Sequence, residues 1–328
     1  MKQFNSNKHK MIDLFAGCGG LSLGFNLAGF EEMAAVEYDK YASTTFKANF
    51  SAPVITSDIT LEATKQDLYG IVEEQLQGER LDVLCGGFPC QGFSSAGLRN
   101  PDDPRNRLVF DMLEVVRYLN PRVIVGENVP GLKTMENGQV LRRIINELES
   151  LGYVADYRIL NAADFAVPQE RERVIIIANN IGKWNIFPTP LLQRSEYVTV
   201  GDAIGDLMSH PFDTSFSHVP AKHQDYMVRN MTALPQGGHL YGTRNSSYRR
   251  LSWNKPSFTM TSNNGAPAIH PIEPRYITSR EMARLQSFPD SFDFSRVGKT
   301  LQMKQIGNAV PPLLAQAVAT AVHSMLVD

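Results

Sequence analysis

Cysteine is scarce, and what there is cannot be paired off: three residues, Cys18, Cys85 and Cys90, in a chain of 328. An odd number without metal-ligand spacing excludes a disulfide framework and a thiolate metal centre, so a reducing cytoplasm is the expected home. Long apolar runs are missing too. The run at 174–178 is strand-length, far short of the ~18 residues of a membrane span, and a soluble chain with no membrane partner and no metal is expected. The N-terminus MKQFNSNKHK is basic, but Asp13 and a glycine cluster follow where a signal peptide has its apolar core, which argues against secretion. Repeats and low-complexity tracts are absent. Nor is there an excess of one charge: the net is −2, and 43% apolar with 20% charged residues is an ordinary globular composition.

The near-neutral total conceals an asymmetry. Residues 1–180 carry 18 Lys and Arg against 24 Asp and Glu, whereas 181–280 carry 10 against 6 and five of the seven His. A basic stretch inside an acidic chain suits phosphate binding, although a solvated, loop-rich surface gives the same count. The hydrophobic pattern changes at the same place. Up to about residue 180, strand-like runs (MIDLFAG, EMAAVEYD, PVITSD, LDVLCGGF, RVIVGENV, VADYRIL, RVIIIANN) alternate with helical stretches, which predicts a mostly parallel sheet covered on both faces. Ligands in such folds collect at the carboxyl ends of the strands. From 182 to 274, prolines and glycines punctuate short pieces, with one helical turn at GDAIGDLM, and a small irregular β-rich unit is expected. Helical periodicity returns at 279–286 and 312–325. The expected organisation is therefore one α/β domain, 1–181 with 277–328, interrupted by a second unit at 182–276.

Four segments carry chemistry. In DLFAGCGGLSLGF (13–25) a strand runs through Gly17, Gly19 and Gly20 into a helix, a turn that lets backbone approach a ligand and that also serves plain packing. The next strand ends at Glu37, placed to accept from a ribose diol, and the third offers Asp58 to an adenine amino group and Ile59 to its face. GGFPCQGFS (86–94) puts Cys90 in a glycine-rich loop past a strand end; a reactive thiolate and an incidental thiol are both open at this point, whereas Cys85 within LDVLC reads as packing. ENV (127–129) ends the following strand with Glu127, a candidate acid or a solvated loop carboxylate. QERERV (169–174) alternates Arg171 and Arg173, suited to a phosphate or a carboxylate.

Together with REMARLQSFPD (280–290) and QIGNAVPPLLA (305–315), in this order, these segments resemble the DNA cytosine-5 methyltransferase family over nearly the whole chain. The resemblance implies a Rossmann-like, S-adenosylmethionine-dependent methyltransferase domain of α/β class, with a small target-recognition domain at 182–276. It assigns Cys90 as nucleophile toward C6 of a flipped-out cytosine, Glu127 as partner of N3 and the exocyclic amine, and Arg173 with Arg171 as their positioning groups. On the cofactor side it implies Phe15, Gly17, Cys18, Gly19, Gly20, Glu37, Tyr38, Asp58, Ile59, Pro89, Leu108, Asn308 and Ala309. Toward DNA it implies the loop 92–107 as a closing lid, with Gln91, Ser94 and Arg99, then Thr259 and Met260, the latter where the family usually has a β-branched residue or Leu. Arg244, Arg249 and Arg250 are candidate phosphate or guanine contacts in the insertion. The implied setting is a bacterial or phage restriction-modification system: a monomer on double-stranded DNA, and a restriction endonuclease acting on the same site without a stable complex. An RNA substrate is the alternative within this architecture; the size and basicity of the insertion favour DNA.

Overall fold

The computed structural model describes residues 8–89, 108–240, 248–261 and 268–327. In chain order the first part comprises β1 (Lys10–Leu14), α1 (Gly20–Leu27), β2 (Glu31–Val36), α2 (Lys40–Asn49), β3 (Val54–Ile55), α3 (Glu62–Leu76), β4 (Val83–Gly86), α4 (Leu108–Leu119), β5 (Val123–Asn128), α5 (Gln139–Ser150), β6 (Val154–Asn161), β7 (Gln169–Glu170) and β8 (Glu172–Asn179). Seven strands form one sheet in the order β3-β2-β1-β4-β5-β8-β6. The first five are parallel; β8 runs antiparallel to both β5 and β6. The chain builds outward from β1 to β3, then returns to the other side of β1 with β4. The reversal leaves a crevice beyond the carboxyl ends of β1 and β4, where ligands bind in open α/β sheets.

Both faces of the sheet are covered, which is why its strands are near-continuous apolar runs. On one face Leu68, Val72, Met112, Val116, Leu141 and Ile144 of α3, α4 and α5 pack on Ile12, Leu84, Ile124 and Ile176. The other face is closed by Leu21 and Phe25 of α1 with Val318, Val322 and Met325 of α10 (Pro312–Val327), against Met11, Val83, Val125 and Ile175. The C-terminal helix thus returns to the sheet after the insertion, and its apolar character is that of a core helix rather than a membrane span.

Between 182 and 276 the described residues are irregular, with α6 (Val200–Ile204), α7 (Asp225–Ala233) and β9 (Ser257–Phe258), and with isolated bridges such as Arg250 with Ile269. Regular strand is sparser than the sequence suggests, and α7 was not foreseen: its nine residues leave only Met231 buried, so no wide apolar stripe marks it. The start of α6 follows its sequence, since Thr199 and Asp202 form a reciprocal capping box. A third apolar cluster joins Val200, Ile204, Leu251 and Met260 to Ile277, Met282, Phe288 and Ile306. It extends across position 276, so the segment is anchored on α8 (Ser279–Leu285) and α9 (Lys299–Asn308). A two-stranded parallel sheet of β7 with β9 makes a second junction.

Candidate active site at the carboxyl ends of the strands

Beyond β1 the backbone turns through three left-handed residues, Phe15 (φ 63°), Gly17 (φ 58°) and Gly19 (φ 95°). A Cβ on Gly17 would meet nothing within 4 Å, so the residue supplies the conformation and leaves open space above the turn. Gly20 answers a different need, because its Cβ would lie 2.3 Å from the carbonyl oxygen of Val310. Glu37, just past β2, accepts hydrogen bonds from the amides of Gly17 (2.7 Å) and Asp39 (2.6 Å). Burial raises its pKa, and those amides oppose the rise. Tyr38 projects into solvent, 76% exposed. Asp39 caps α2 and pairs with Lys304 of α9 at 3.0 Å, tying this edge to the C-terminal segment. Asp58 is half-buried and accepts from Thr60 N at 2.9 Å.

The next two strand ends meet each other. Arg173 Nε, from β8, donates to Glu127 Oε1 of β5 at 2.8 Å, with the side chains 10% and 12% exposed. Burial pulls the arginine pKa down and Glu127 pulls it back. A Cβ on Gly87 would lie 3.1 Å from Glu127 Oε2, so the segment leaving β4 runs directly beside the carboxylate. Asn128 fixes that segment: its buried Nδ2 donates to Phe88 O (2.8 Å), and its Oδ1 accepts from Val129 N (2.8 Å). Pro89, half-buried, is the last described residue before 108.

Arg171 has the parity of Arg173 but other partners. Fully enclosed, it donates to the carbonyls of Met260 (2.8 Å), Gly307 (3.0 Å) and Ala309 (3.2 Å). Two of these belong to the end of α9, where unsatisfied carbonyls and the helix dipole favour a cation. Its pKa is pulled down by burial and then by Arg173. Arg171 thereby holds the segment presenting exposed Asn308 and half-buried Ala309.

The model of the family described as C-5 cytosine-specific DNA methylase matches residues 9–324. The chain belongs to this family. Among its relatives are the Type II methyltransferase M1.HphI of Haemophilus parahaemolyticus, 39% identical over 96% of this chain and 86% of that protein, and M.NgoFVII of Neisseria gonorrhoeae, 35% identical over 98% and 87%. A protein assigned as a DNA modification methyltransferase from an Escherichia coli prophage superposes with a TM-score of 0.80 at 26% identity, covering 98% of this chain and all of its own. S. pombe Dnmt2 methyltransferase shares the fold, with a TM-score of 0.72 at 20% identity.

Within this methylase fold the sequence-derived residues divide. Phe15, Gly17, Glu37, Tyr38 and Asp58 surround the crevice side of β1 to β3, and Leu108 begins α4, half-buried. Cys18 turns its thiol into the third cluster, where burial lifts its pKa to about 12, leaving only its backbone toward the crevice. Ile59 is likewise 3% exposed, packed into the sheet core. Two candidate DNA contacts are enclosed in the chain's own packing. Met260 is core, its carbonyl taken by Arg171, and Arg250 is buried, donating to Pro271 and Met231 carbonyls, because its guanidinium bridges irregular segments that lack a ladder. Thr259 donates to Glu170 O at 2.9 Å and lines a cleft of about 580 Å3 together with Arg173, Pro130, Tyr197 and Arg194. Arg249 is half-buried, with its guanidinium 5.0 Å from the Phe258 ring centroid. Cys90, Gln91, Ser94, Arg99 and Arg244 lie outside the described residues, as does the whole 92–107 segment expected as a lid. Sequence reasoning missed Asn128 and Arg194; the first was legible only as the polar residue following Glu127 at the end of a buried strand. Among the described residues no three His, Cys, Asp or Glu side chains are grouped to hold a metal.

Proposed function

We propose that this chain is a sequence-specific DNA cytosine-5 methyltransferase that uses S-adenosylmethionine and forms a covalent Cys90 adduct with a flipped-out cytosine. The observation that carries this reading is the Arg173–Glu127 pair, which lies against Gly87, three residues before Cys90, one strand away from the Gly17–Glu37 crevice. The crevice suits the cofactor: an enclosed carboxylate at a strand end for a ribose, an exposed aromatic ring beside it for a purine, and unfilled space over a left-handed glycine. Phe15, Gly17, Glu37, Tyr38 and Asp58 would hold it, with Asn308 near the methionine end. Bound there, S-adenosylmethionine supplies an electrophilic methyl group.

The chain's own residues supply the rest. Arg173 holds the Glu127 carboxyl in one orientation, ready to hydrogen-bond N3 and the exocyclic amine of a cytosine and to stabilise the charge that builds on the ring. The Cys90 thiolate adds to C6, and the C5–C6 electron pair makes C5 nucleophilic toward the methyl group. Loss of the C5 proton to a base then restores the double bond and expels the thiolate. Asn128 positions the backbone that leads to Cys90. Residues 182–276 act as the target-recognition domain, with Thr259 and Arg249 facing DNA. The enzyme works as a monomer in the cytoplasm, protecting host DNA from a restriction endonuclease that shares its site.

Expression in a host without cytosine methylation, followed by single-base mapping of 5-methylcytosine, tests the reading. Methylation confined to one short motif, abolished by Cys90→Ser, is the expected result. Unmethylated DNA from soluble enzyme that binds S-adenosylmethionine, with methyl transfer to tRNA instead, would overturn it in favour of an RNA substrate.

A further inference from the structure

The β7–β9 strand pair has two unlike faces. Gln169 and Ser257 are in register and point inward, Gln169 Nε2 donating to Gln286 Oε1 (3.0 Å) and Leu285 O (3.2 Å). Glu170 and Phe258, the next residues in register, lie on the opposite side, since successive side chains alternate across a strand, Glu170 exposed and Phe258 half-buried against the rim of the third cluster. Each carries an arginine from elsewhere in the chain: Arg194 reaches Glu170 Oε1 at 3.4 Å, and the Arg249 guanidinium lies over the Phe258 ring. Arg194 also lines the cleft that contains Arg173, the partner of Glu127.

We propose that this outward face is a DNA-backbone contact at which Arg194 leaves Glu170 for a phosphate of the strand carrying the target cytosine, with Arg249 meeting a neighbouring phosphate. The inference rests on the DNA-methyltransferase reading above and goes beyond it in assigning Arg194 and the opposing role of Glu170. Arg194 is 84% exposed and has one long ion contact, a kind of pair that contributes little and is given up at small cost. A phosphate offers two charge-assisted bonds in the fork geometry of guanidinium. The arginine base is nevertheless fixed: Gln193 N donates to Glu196 Oε2 (2.8 Å), and the Tyr197 hydroxyl donates to Asp164. Phe258 and the Gly237 carbonyl, which accepts from Arg249 Nε at 3.2 Å, hold the second guanidinium without neutralising it, so its charge stays available. Among the described residues Glu170 is the carboxylate paired with Arg194, and it repels an incoming phosphate while it parks the arginine.

Equilibrium binding of a short DNA duplex containing the methylated motif, and of one lacking it, tests this across a salt series. Arg194→Gln is expected to weaken both duplexes by roughly tenfold and to reduce the slope of log K against log salt by about 1, with S-adenosylmethionine binding and melting temperature unchanged. Glu170→Gln is expected to tighten both. Unchanged affinity and slope in Arg194→Gln, or weaker binding in Glu170→Gln, would refute the assignment while wild-type methylation of DNA stands. A wild-type chain that neither binds nor methylates duplex DNA overturns both readings together.

Discussion

Replacing Glu32 with Gln should make the protein more stable at pH 8 and leave it unchanged near pH 5. Under the sheet, the Ser22 hydroxyl lies 2.7 Å from Asp13 Oδ2 and 2.7 Å from Glu32 Oε1. A hydroxyl carries one proton, so it donates to one carboxylate and the second contact must be filled by a proton on a carboxyl group. Burial accordingly raises Asp13 to about 7 and Glu32 to about 8. The folded chain thus retains a proton that the unfolded chain has released: stability is full below the unfolded values near 4 and falls as pH climbs through 7 and 8. At about 1.4 kcal/mol per unit, a carboxyl moved from 4.5 to about 8 gives up on the order of 3 kcal/mol by pH 7. Glutamine keeps a neutral donor at the Ser22 oxygen without that loss, worth roughly 6 °C in melting temperature. Thermal melts of both proteins from pH 5 to pH 8.5 provide the assay. If Glu32→Gln melts lower at pH 8, or if its difference from wild type does not depend on pH, the shared-proton account is wrong.

Three further outcomes follow from contacts around the crevice. Arg171→Met strips a donor from three buried carbonyls and should cost about 3 kcal/mol, seen as a lower melting temperature together with weaker S-adenosylmethionine binding by calorimetry. Gly17→Ala and Gly20→Ala should part company: the first costs about 1 kcal/mol of backbone strain and chiefly weakens cofactor binding, whereas the second drives a methyl group into the Val310 carbonyl and should lower soluble yield and melting temperature. Asn128→Ala leaves the Phe88 carbonyl without its donor and should slow single-turnover methyl transfer by roughly 10- to 100-fold, with DNA affinity unchanged.

What the sequence made legible was periodic or local. The strands β1, β2, β4, β5 and β8 read as apolar runs because they are buried on both faces, and the acids at the ends of β2 and β5, Glu37 and Glu127, stood out against those runs. The uses of buried polar residues were not legible, since they depend on partners far along the chain. Arg250 meets carbonyls at Met231, Pro271 and Ile272, and Cys18 meets Gln305. Nothing local distinguishes such an arginine from one that faces DNA. Helix α7 escaped for the related reason that a nine-residue helix burying one methionine has no periodic signature.

The segment 169–173 shows how far a short pattern can be read. Its alternation was visible, and it predicted that Arg171 and Arg173 share a side. They do share parity, yet the chain leaves β7 at Glu170 and enters the main sheet at Glu172, so the two arginines stand over different neighbours. Gln169 holds Gln286, Arg171 holds the end of α9, and Arg173 holds Glu127, three consecutive odd positions tying the third cluster, the end of α9 and the Glu127 carboxylate to one backbone. The intervening even positions, Glu170 and Glu172, line the cleft with Arg194. A one-residue shift would exchange these sets, placing carboxylates where the carbonyls at the end of α9 need a donor and leaving Glu127 without its arginine. The register of this segment therefore fixes both the support under the end of α9 and the orientation of the Glu127 carboxylate.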